Sequence, residues 1–263
     1  MRRFKVVSTV RTVRGEQAMR KRWAHLTAAT VVAALAGTGL STPALAQTGP
    51  TKVISYAGFG QGPSLHKVGS ASIHGSSLRL TSGTKRLAGA AWSKTKLNAK
   101  QSFETAFDVS MTGEVGHADG VAFVLQNDGP KAKGGYGGSL GYGGMTHSVA
   151  IELDTFKNPN DVDNNHIAVV TGGASDAAQP IVASSPIMMF GQTVRVRITW
   201  LAGTKTLKVR VRAVGGSQEY KVLDKKFDLR KALGYTKAFA GFTGGTGEDV
   251  SVQEINNWSV KVW

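Results

Sequence analysis

The chain has 263 residues, no cysteine, 33 glycines, 7 prolines and a formal charge of +15. Without cysteine it cannot rely on disulfides, and its length suits one large, well-buried domain. Much of the charge sits at the N-terminus: eight of the 32 Lys and Arg but one of the 17 acids precede residue 47, which leaves 24 against 16, or about +8.

In chain order, the first segment is a basic stretch from Arg2 to Arg22, followed by an uncharged Ala-, Val- and Leu-rich run over residues 26–40 and the small-residue pattern Ala44-Leu45-Ala46. This order reads as a secretory signal peptide over residues 1–46, with a run too short to span a bilayer, so the mature chain is expected to be secreted and extracellular. Met19-Arg-Lys-Arg-Trp23 also has the shape of a signal start, so Met1 and Met19 both stand as candidate translation starts. From residue 47 onward, period-2 alternation dominates and helical periodicity is nearly absent. Strands are expected at Val53–Tyr56, Ala71–Ile73, Ser77–Leu80, Ala90–Trp92, Ser102–Ser110, Gly120–Gln126, Ser148–Asp154, His166–Thr171, Thr193–Leu201, Thr206–Ala213, Lys221–Phe227, Ala238–Thr243 and Val250–Val262. Asp228 to Gly234 reads as one helical turn closed by a glycine cap. No internal repeat or Pro/Ser-rich linker divides residues 47–263, and many short antiparallel strands punctuated by turns predict an all-β sandwich. Along Lys205–Arg212, Leu207, Val209 and Val211 alternate with Lys208, Arg210 and Arg212, the pattern of a solvated strand face. Nucleic acid is therefore not an expected partner, while anionic glycans remain compatible with the positive charge.

The segment from Val149 to His166 carries the densest chemistry. Side chains two apart on a strand share a face, so Glu152, Asp154 and Phe156 point one way and Ile151, Leu153 and Thr155 the other. Two carboxylates on one face of an apolar strand repel each other unless a cation lies between them. The following loop adds Asn158, Asp161 and His166. Carboxylate, amide and carbonyl oxygens suit Ca²⁺, and an imidazole beside carboxylates suits a transition ion such as Mn²⁺.

Glu-x-Asp-Thr-Phe-x-Asn, then Asp161, then His166 five residues later, resembles the metal loop of the legume-type (L-type) lectins. Other segments follow in that family's order across residues 53–263: Ala118-Asp119-Gly120 leading into Val121–Leu125, the glycine loop Gly137-Gly138-Ser139-Leu140-Gly141-Tyr142, Val196–Trp200 with Thr204–Val209, Phe239–Gly247, and Glu254–Ser259. Several short matches in fixed order are more specific than any one of them. The resemblance implies a concanavalin-like jelly-roll β-sandwich that binds glycans, with Ca²⁺ held by Asp154, the Phe156 carbonyl, Asn158 and Asp161. It implies a second divalent ion, Mn²⁺ or similar, held by Glu152, Asp154, Asp161 and His166. It also implies a cis peptide between Ala118 and Asp119, with Asp119 accepting hydrogen bonds from two sugar hydroxyls. A backbone N–H of the glycine loop, best matched by Gly138 with Gly137 as the alternative, would donate to the sugar. Asn158 would use both ends of its amide, Phe156 would face the ring, and the Thr243–Glu248 segment, including Thr246, would form the variable specificity loop. The stretch between Asp154 and Asp161 is shorter than in many plant members, which makes Asp163 a second candidate carboxylate.

Other readings are available to the same residues. Glycosidases on related sandwiches carry Glu-x-Asp-x-x-Glu, whose outer acids do the chemistry. Here Lys157 stands at the second glutamate, and no Gly-x-Ser-x-Gly elbow is present. A structural or adhesive module with a vestigial sugar site is a further alternative, against which the retained Asp119 and Asn158 argue. Trp200 and Trp258 are expected in the core. No catalytic residue is assigned, and homo-oligomers are the expected route to avidity.

Overall fold

The computed structural model describes residues 49–61, 65–114, 116–175 and 181–263. The expected signal peptide lies outside these residues. The compact unit runs from Gln47 to Trp263. Among the described residues no helix is long and apolar enough to cross a membrane.

Among the described residues, fifteen strands form two antiparallel sheets. In chain order they are β1 (Thr51–Ser55), β2 (His66–Gly69), β3 (Ser72–His74), β4 (Ser77–Ser82), β5 (Ala88–Asn98), β6 (Phe103–Thr112), β7 (Gly120–Gln126), β8 (Ser148–Asp154), β9 (His166–Thr171), β10 (Ile181–Ser184), β11 (Thr193–Leu201), β12 (Thr206–Ala213), β13 (Tyr220–Lys226), β14 (Lys237–Gly245) and β15 (Val252–Val262). The single α-helix among the described residues is α1 (Leu229–Leu233). One sheet has the order β13-β12-β11-β6-β15-β4-β3, with β1 paired to the end of β15; the other runs β10-β9-β8-β7-β14-β5-β2. This is the all-β sandwich that the alternation predicts.

Alternation explains the first sheet. On β11, Val194, Val196 and Ile198 are fully buried, while Arg195 and Arg197 face outward. The outward cations find acids on the same face: Arg195 meets Asp108 at 2.9 Å, Arg197 meets Glu219, Arg210 meets Glu219 at 3.8 Å, and Lys208 meets Asp224 at 4.0 Å. Between the sheets, Phe107, Phe123, Phe242 and Trp258 pack edge-on and stacked, and the Trp258 Nε1–H donates to Thr105 Oγ1 at 3.0 Å. Each such side chain contributes about 1.5–3 kcal/mol by leaving water.

The second sheet is different, because β7 and β8 are buried along their whole length. The inward residues of β8, Val149, Ile151 and Leu153, join the main core. Its other face, with Ala150, packs with Ala122, Val124 and Trp92 beneath Leu140, Tyr142 and Met145 of the glycine loop. Small alanines on the strands leave room for this loop, and the Trp92 Nε1–H pins it by donating to Ala132 O at 2.9 Å. A strand covered on both faces reads as a continuous apolar run.

The structure adds two strands that alternation does not reveal, β2 and β10. Both are edge strands of the second sheet, each four residues long. Strand β5 extends well past Ala90–Trp92, because the polar stretch Ser93–Lys96 bulges yet stays in the ladder opposite β14. The helical turn forms as expected: Asp228 Oδ1 accepts from the Lys231 N–H at 3.1 Å, and Gly234 closes the turn at φ 68°.

Candidate functional site

Three strands finish in register at one end of the second sheet, where Gly120 of β7 lies opposite both Asp154 of β8 and Gly245 of β14. Gly120 must be glycine, since a Cβ there would stand 2.5 Å from Leu153 O. Asp119 enters just before this junction through a cis Ala118–Asp119 peptide. Its backbone is held on every side. The Asp119 N–H donates to Gly245 O at 3.1 Å, and its carbonyl accepts the Thr155 N–H at 2.9 Å and the Thr155 hydroxyl at 3.1 Å. The Thr155 hydroxyl also reaches His117 O, and Ser251 Oγ donates to Ala118 O at 2.7 Å. Gln253 completes the brace, donating from Nε2 to Gly245 O at 2.7 Å and to Ser251 Oγ at 3.1 Å.

This framework presents the Asp119 carboxylate to Gly247 and the glycine loop. The residue is 6% exposed, and its Oδ2 is a buried oxygen with no hydrogen-bond partner. Burial pushes the carboxyl up to about 6; the Gly247 N–H opposes this and the Asp249 charge adds to it. Gly247 lies close over the carboxylate: a Cβ there would stand 3.3 Å from Asp119 Oδ2 and 3.6 Å from Gly137 Cα. Gly138 sits in a short 3-10 turn, Gly137–Ser139, and the open side of its Cα faces Asn158, where a Cβ would be 3.2 Å from Nδ2. Asp119, the glycine loop and Asn158 thus converge. Phe156 is half-buried beside them and lines a cleft of about 320 Å³ with His117, Thr155 and Asp249.

Behind this surface lie the acids of β8 and its loop. Asp154, Asp161 and His166 bring one ligand atom each within 4.8 Å of one another. That spread fits one cation about 2.0–2.6 Å from each donor. The loop is shaped by its own side chains. Asp154 Oδ1 accepts the Phe156 N–H at 2.8 Å, Asp161 Oδ2 accepts the Asn158 N–H at 2.7 Å, and Asp163 Oδ1 accepts the Asn165 N–H at 2.8 Å. Of the two candidate carboxylates in the loop, it is Asp161 that joins Asp154 and His166, while Asp163 serves the backbone. Glu152 lies two residues before Asp154 on the same face, is buried, and accepts the Tyr142 hydroxyl.

The donor set fits a metal ion. His166 is fully buried, and its Nδ1–H donates to Asp163 O at 2.8 Å. Its Nε2 is then a bare acceptor with no partner, 3.8 Å from Asp161 Oδ1. A carbonyl that fixes the tautomer and aims the second nitrogen is the usual support of a metal-ligating histidine. Burial also drives the Asp154 carboxyl well above its ordinary range; the Phe156 N–H opposes that, and the charges of Glu152, Asp161 and Asp119 reinforce it. Acids packed this way need a counter-charge, which a divalent cation supplies.

One expected contact is corrected. Thr246 is fully buried, its hydroxyl accepts the Leu87 N–H at 3.0 Å and donates to Thr84 O at 2.7 Å, and its own N–H donates to Leu87 O at 3.0 Å. Its carbonyl accepts the Gly137 N–H at 3.1 Å. With every polar group engaged inward, Thr246 fastens the glycine loop and does not face a ligand. Motif reading also missed the braces Thr155, Ser251 and Gln253. All three are buried polar residues at or next to strand ends, and their partners lie on other segments of the chain, so no sequence spacing marks them.

The chain matches the legume lectin beta-barrel domain over residues 61–259. It is 30% identical over 161 residues to erythroagglutinating phytohemagglutinin of Phaseolus vulgaris, covering 58% of this chain and 57% of that protein. A lectin alpha chain of Lablab purpureus is 29% identical over 162 residues, covering 58% and 56%. The chain thus spans a little over half the length of these curated relatives. Among solved structures, basic winged bean lectin with Tn-antigen superposes at a TM-score of 0.72 with 23% identity, covering 82% of this chain and 99% of that one. The two-sheet sandwich is thereby placed among known folds, and the chain belongs to the legume (L-type) lectin family.

Proposed function

We propose that the protein is a secreted, Ca²⁺-dependent lectin that holds one sugar ring of a glycan in a shallow, metal-organised site and carries out no reaction on it. The observation that carries this reading is the Asp119 carboxylate: a buried oxygen without a partner, braced by a hydrogen-bond network beside Gly247 and the glycine loop, whose Gly138 in turn lies against Asn158. In this reading Asp119 accepts two sugar hydroxyls, the backbone at Gly138 and the Asn158 amide donate, and the Phe156 ring covers the apolar face of the pyranose. Asp154, the Phe156 carbonyl, Asn158 and Asp161 would hold Ca²⁺. Glu152, Asp154, Asp161 and His166 would hold a second divalent ion such as Mn²⁺. The bound cations supply charge neutralisation and fix the loop that carries Asn158.

The absence of hydrolysis rests on the lectin relatives and on Lys157, an exposed cation where sandwich glycosidases carry a second acid. A single ring offers few contacts, so monosaccharide affinity is about millimolar to high micromolar, and useful avidity needs oligomers. Export after cleavage at Ala46 follows from the leader pattern.

A glycan array probed with calcium-loaded and chelated protein tests the reading. Binding of particular glycans that vanishes on chelation and returns with calcium is the expected result. Unchanged binding after chelation would remove the metal dependence, and steady release of reducing sugar would replace a lectin by a hydrolase.

A further inference from the structure

The opposite end of the sandwich carries a second concave site. Strand β14 runs from Gly245 beside Asp119 to Lys237, which pairs with Asn98 at the far end of β5. Nine residues of extended chain separate the two ends by roughly 25–30 Å. At the far end three connections meet. The β5–β6 turn is tied to the segment before β14 through the Ala99 N–H and Thr236 O at 2.8 Å, and the β11–β12 turn is tied to the segment before α1 through the Phe227 N–H and Lys205 O at 2.9 Å. The Ser102 hydroxyl joins the first turn to the second by accepting the Ala202 N–H at 3.1 Å.

Between them lies a cleft of about 510 Å³ lined by Trp200, Lys100, Lys205, Asp228, Arg230 and Lys231. Four cations thus surround one carboxylate. That carboxylate is already engaged on both oxygens, by Lys205 Nζ at 2.6 Å and by the Lys231 backbone N–H at 3.1 Å. Among the described residues Lys100, Arg230 and Lys231 have no acid within ion-pair distance, although cations on the outer strand faces do. Trp200 is 2% exposed, and its buried Nε1–H has no acceptor in the protein. Lys225, Lys226 and Lys237 are exposed at the same end, opposite Leu207, Thr206 and Asn98.

From this cleft we infer a second binding site, for a glycan chain bearing anionic groups such as sulfate esters or uronate carboxylates. The cleft's unpaired cations, Lys100, Arg230 and Lys231, stand exposed at its rim and offer charge-assisted hydrogen bonds to the anionic substituents of such a chain. The cleft has the volume of a small-ligand site. A polynucleotide would instead want a continuous positive track. The sheet-face cations that might have formed one are paired with Asp108, Glu219 and Asp224. None of the cleft residues belongs to the Asp119 site, so the two ends stand or fall separately. With both occupied, one molecule could bridge a neutral glycan and an acidic one.

The test is titration calorimetry of the full-length mature protein with sulfated dextran and polygalacturonate oligosaccharides, with neutral dextran, inorganic sulfate and single-stranded DNA as comparisons. At least one anionic glycan should bind, more weakly at higher salt, while neutral dextran and sulfate alone do not compete. Arg230→Glu with Lys231→Glu should weaken it at least about tenfold, whereas Lys52→Glu with Lys67→Glu, equal in net charge, should change it less than about threefold. Lys100→Glu, on a different turn, should reproduce the loss if the α1 variant does not fold, and Asp119→Asn should leave it intact. Equal losses in both charge-reversed pairs, tighter binding of DNA than of either glycan, or no binding of either anionic glycan would overturn the assignment.

Discussion

The two ends of this sandwich handle charge in opposite ways. At the Asp119 end the acids are buried: Asp119, Glu152 and Asp154 are each 6% exposed or less, and His166 is fully enclosed. At the α1 end the charges stand in water, with Lys205 62% exposed in its ion pair with Asp228. Burying a charged acid costs far more than exposing one, so the first end gains stability from a counter-ion, while the second is stable as it stands. The difference teaches where ligand dependence should appear. Removing cations should damage the acidic end and leave the basic end unchanged.

The largest expected effect is therefore metal removal. A cation present at about one hundred times its dissociation constant stabilises the folded state by about 2.7 kcal/mol, which for a domain of this size is about 5–10 °C in melting temperature. The pH dependence sharpens the point. Burial raises the Asp119 carboxyl to about 6 and drives the Asp154 carboxyl well above the usual carboxylate range. An acid whose folded pKa is raised stabilises the protein below its unfolded pKa, and that contribution is lost as pH rises through the folded pKa. The chelated protein should thus melt at progressively lower temperature from about pH 4 through about pH 6, and the metal-loaded protein should not follow. Parallel melting curves for the two forms across that range would erase the contrast between the ends.

A smaller effect isolates the brace from the ligand. Thr246→Val keeps the shape but removes a hydroxyl that satisfies Leu87 N–H and Thr84 O. Leaving those backbone groups unpaired should lower stability by about 1–3 kcal/mol in thermal or urea denaturation, with calcium affinity unchanged. If the variant keeps full stability and loses sugar binding outright, Thr246 is a contact residue after all. The smallest effect belongs to the other end. Lys205→Ala breaks an exposed pair and should move the melting temperature by about 2 °C or less. A larger drop would mean that the basic end is as tightly organised as the acidic one.

Much of this contrast was legible in the sequence, for physical reasons. Strand periodicity placed Glu152 and Asp154 on one face, and β7, β8, β9, β11 and β12 have the bounds that alternation gives them. Their apolar runs are long enough for the pattern to be unambiguous. The edge strands β2 and β10 were illegible because four residues paired mainly on one side need no apolar run. Thr246 was misjudged for a related reason. Its position beyond β14 matched a ligand loop, but its direction is set by Leu87 and Thr84, some 160 residues earlier in the chain. Thr155, Ser251 and Gln253 were silent because hydrogen bonds between distant strand ends leave no spacing to read. The cleft beside α1 was equally silent, since Lys100, Lys205 and Arg230 come together only when three separate turns meet.

The most direct test of the central claim is Asp119→Asn, which keeps the size of the side chain and removes its charge. Sugar affinity and calcium affinity should be measured on the same variant by titration calorimetry, using the best glycan from the array. Loss of one charge-assisted acceptor should weaken sugar binding by about tenfold to a hundredfold, with calcium binding and the folded spectrum retained. Wild-type sugar affinity in the variant would contradict the account and move the binding site away from Asp119.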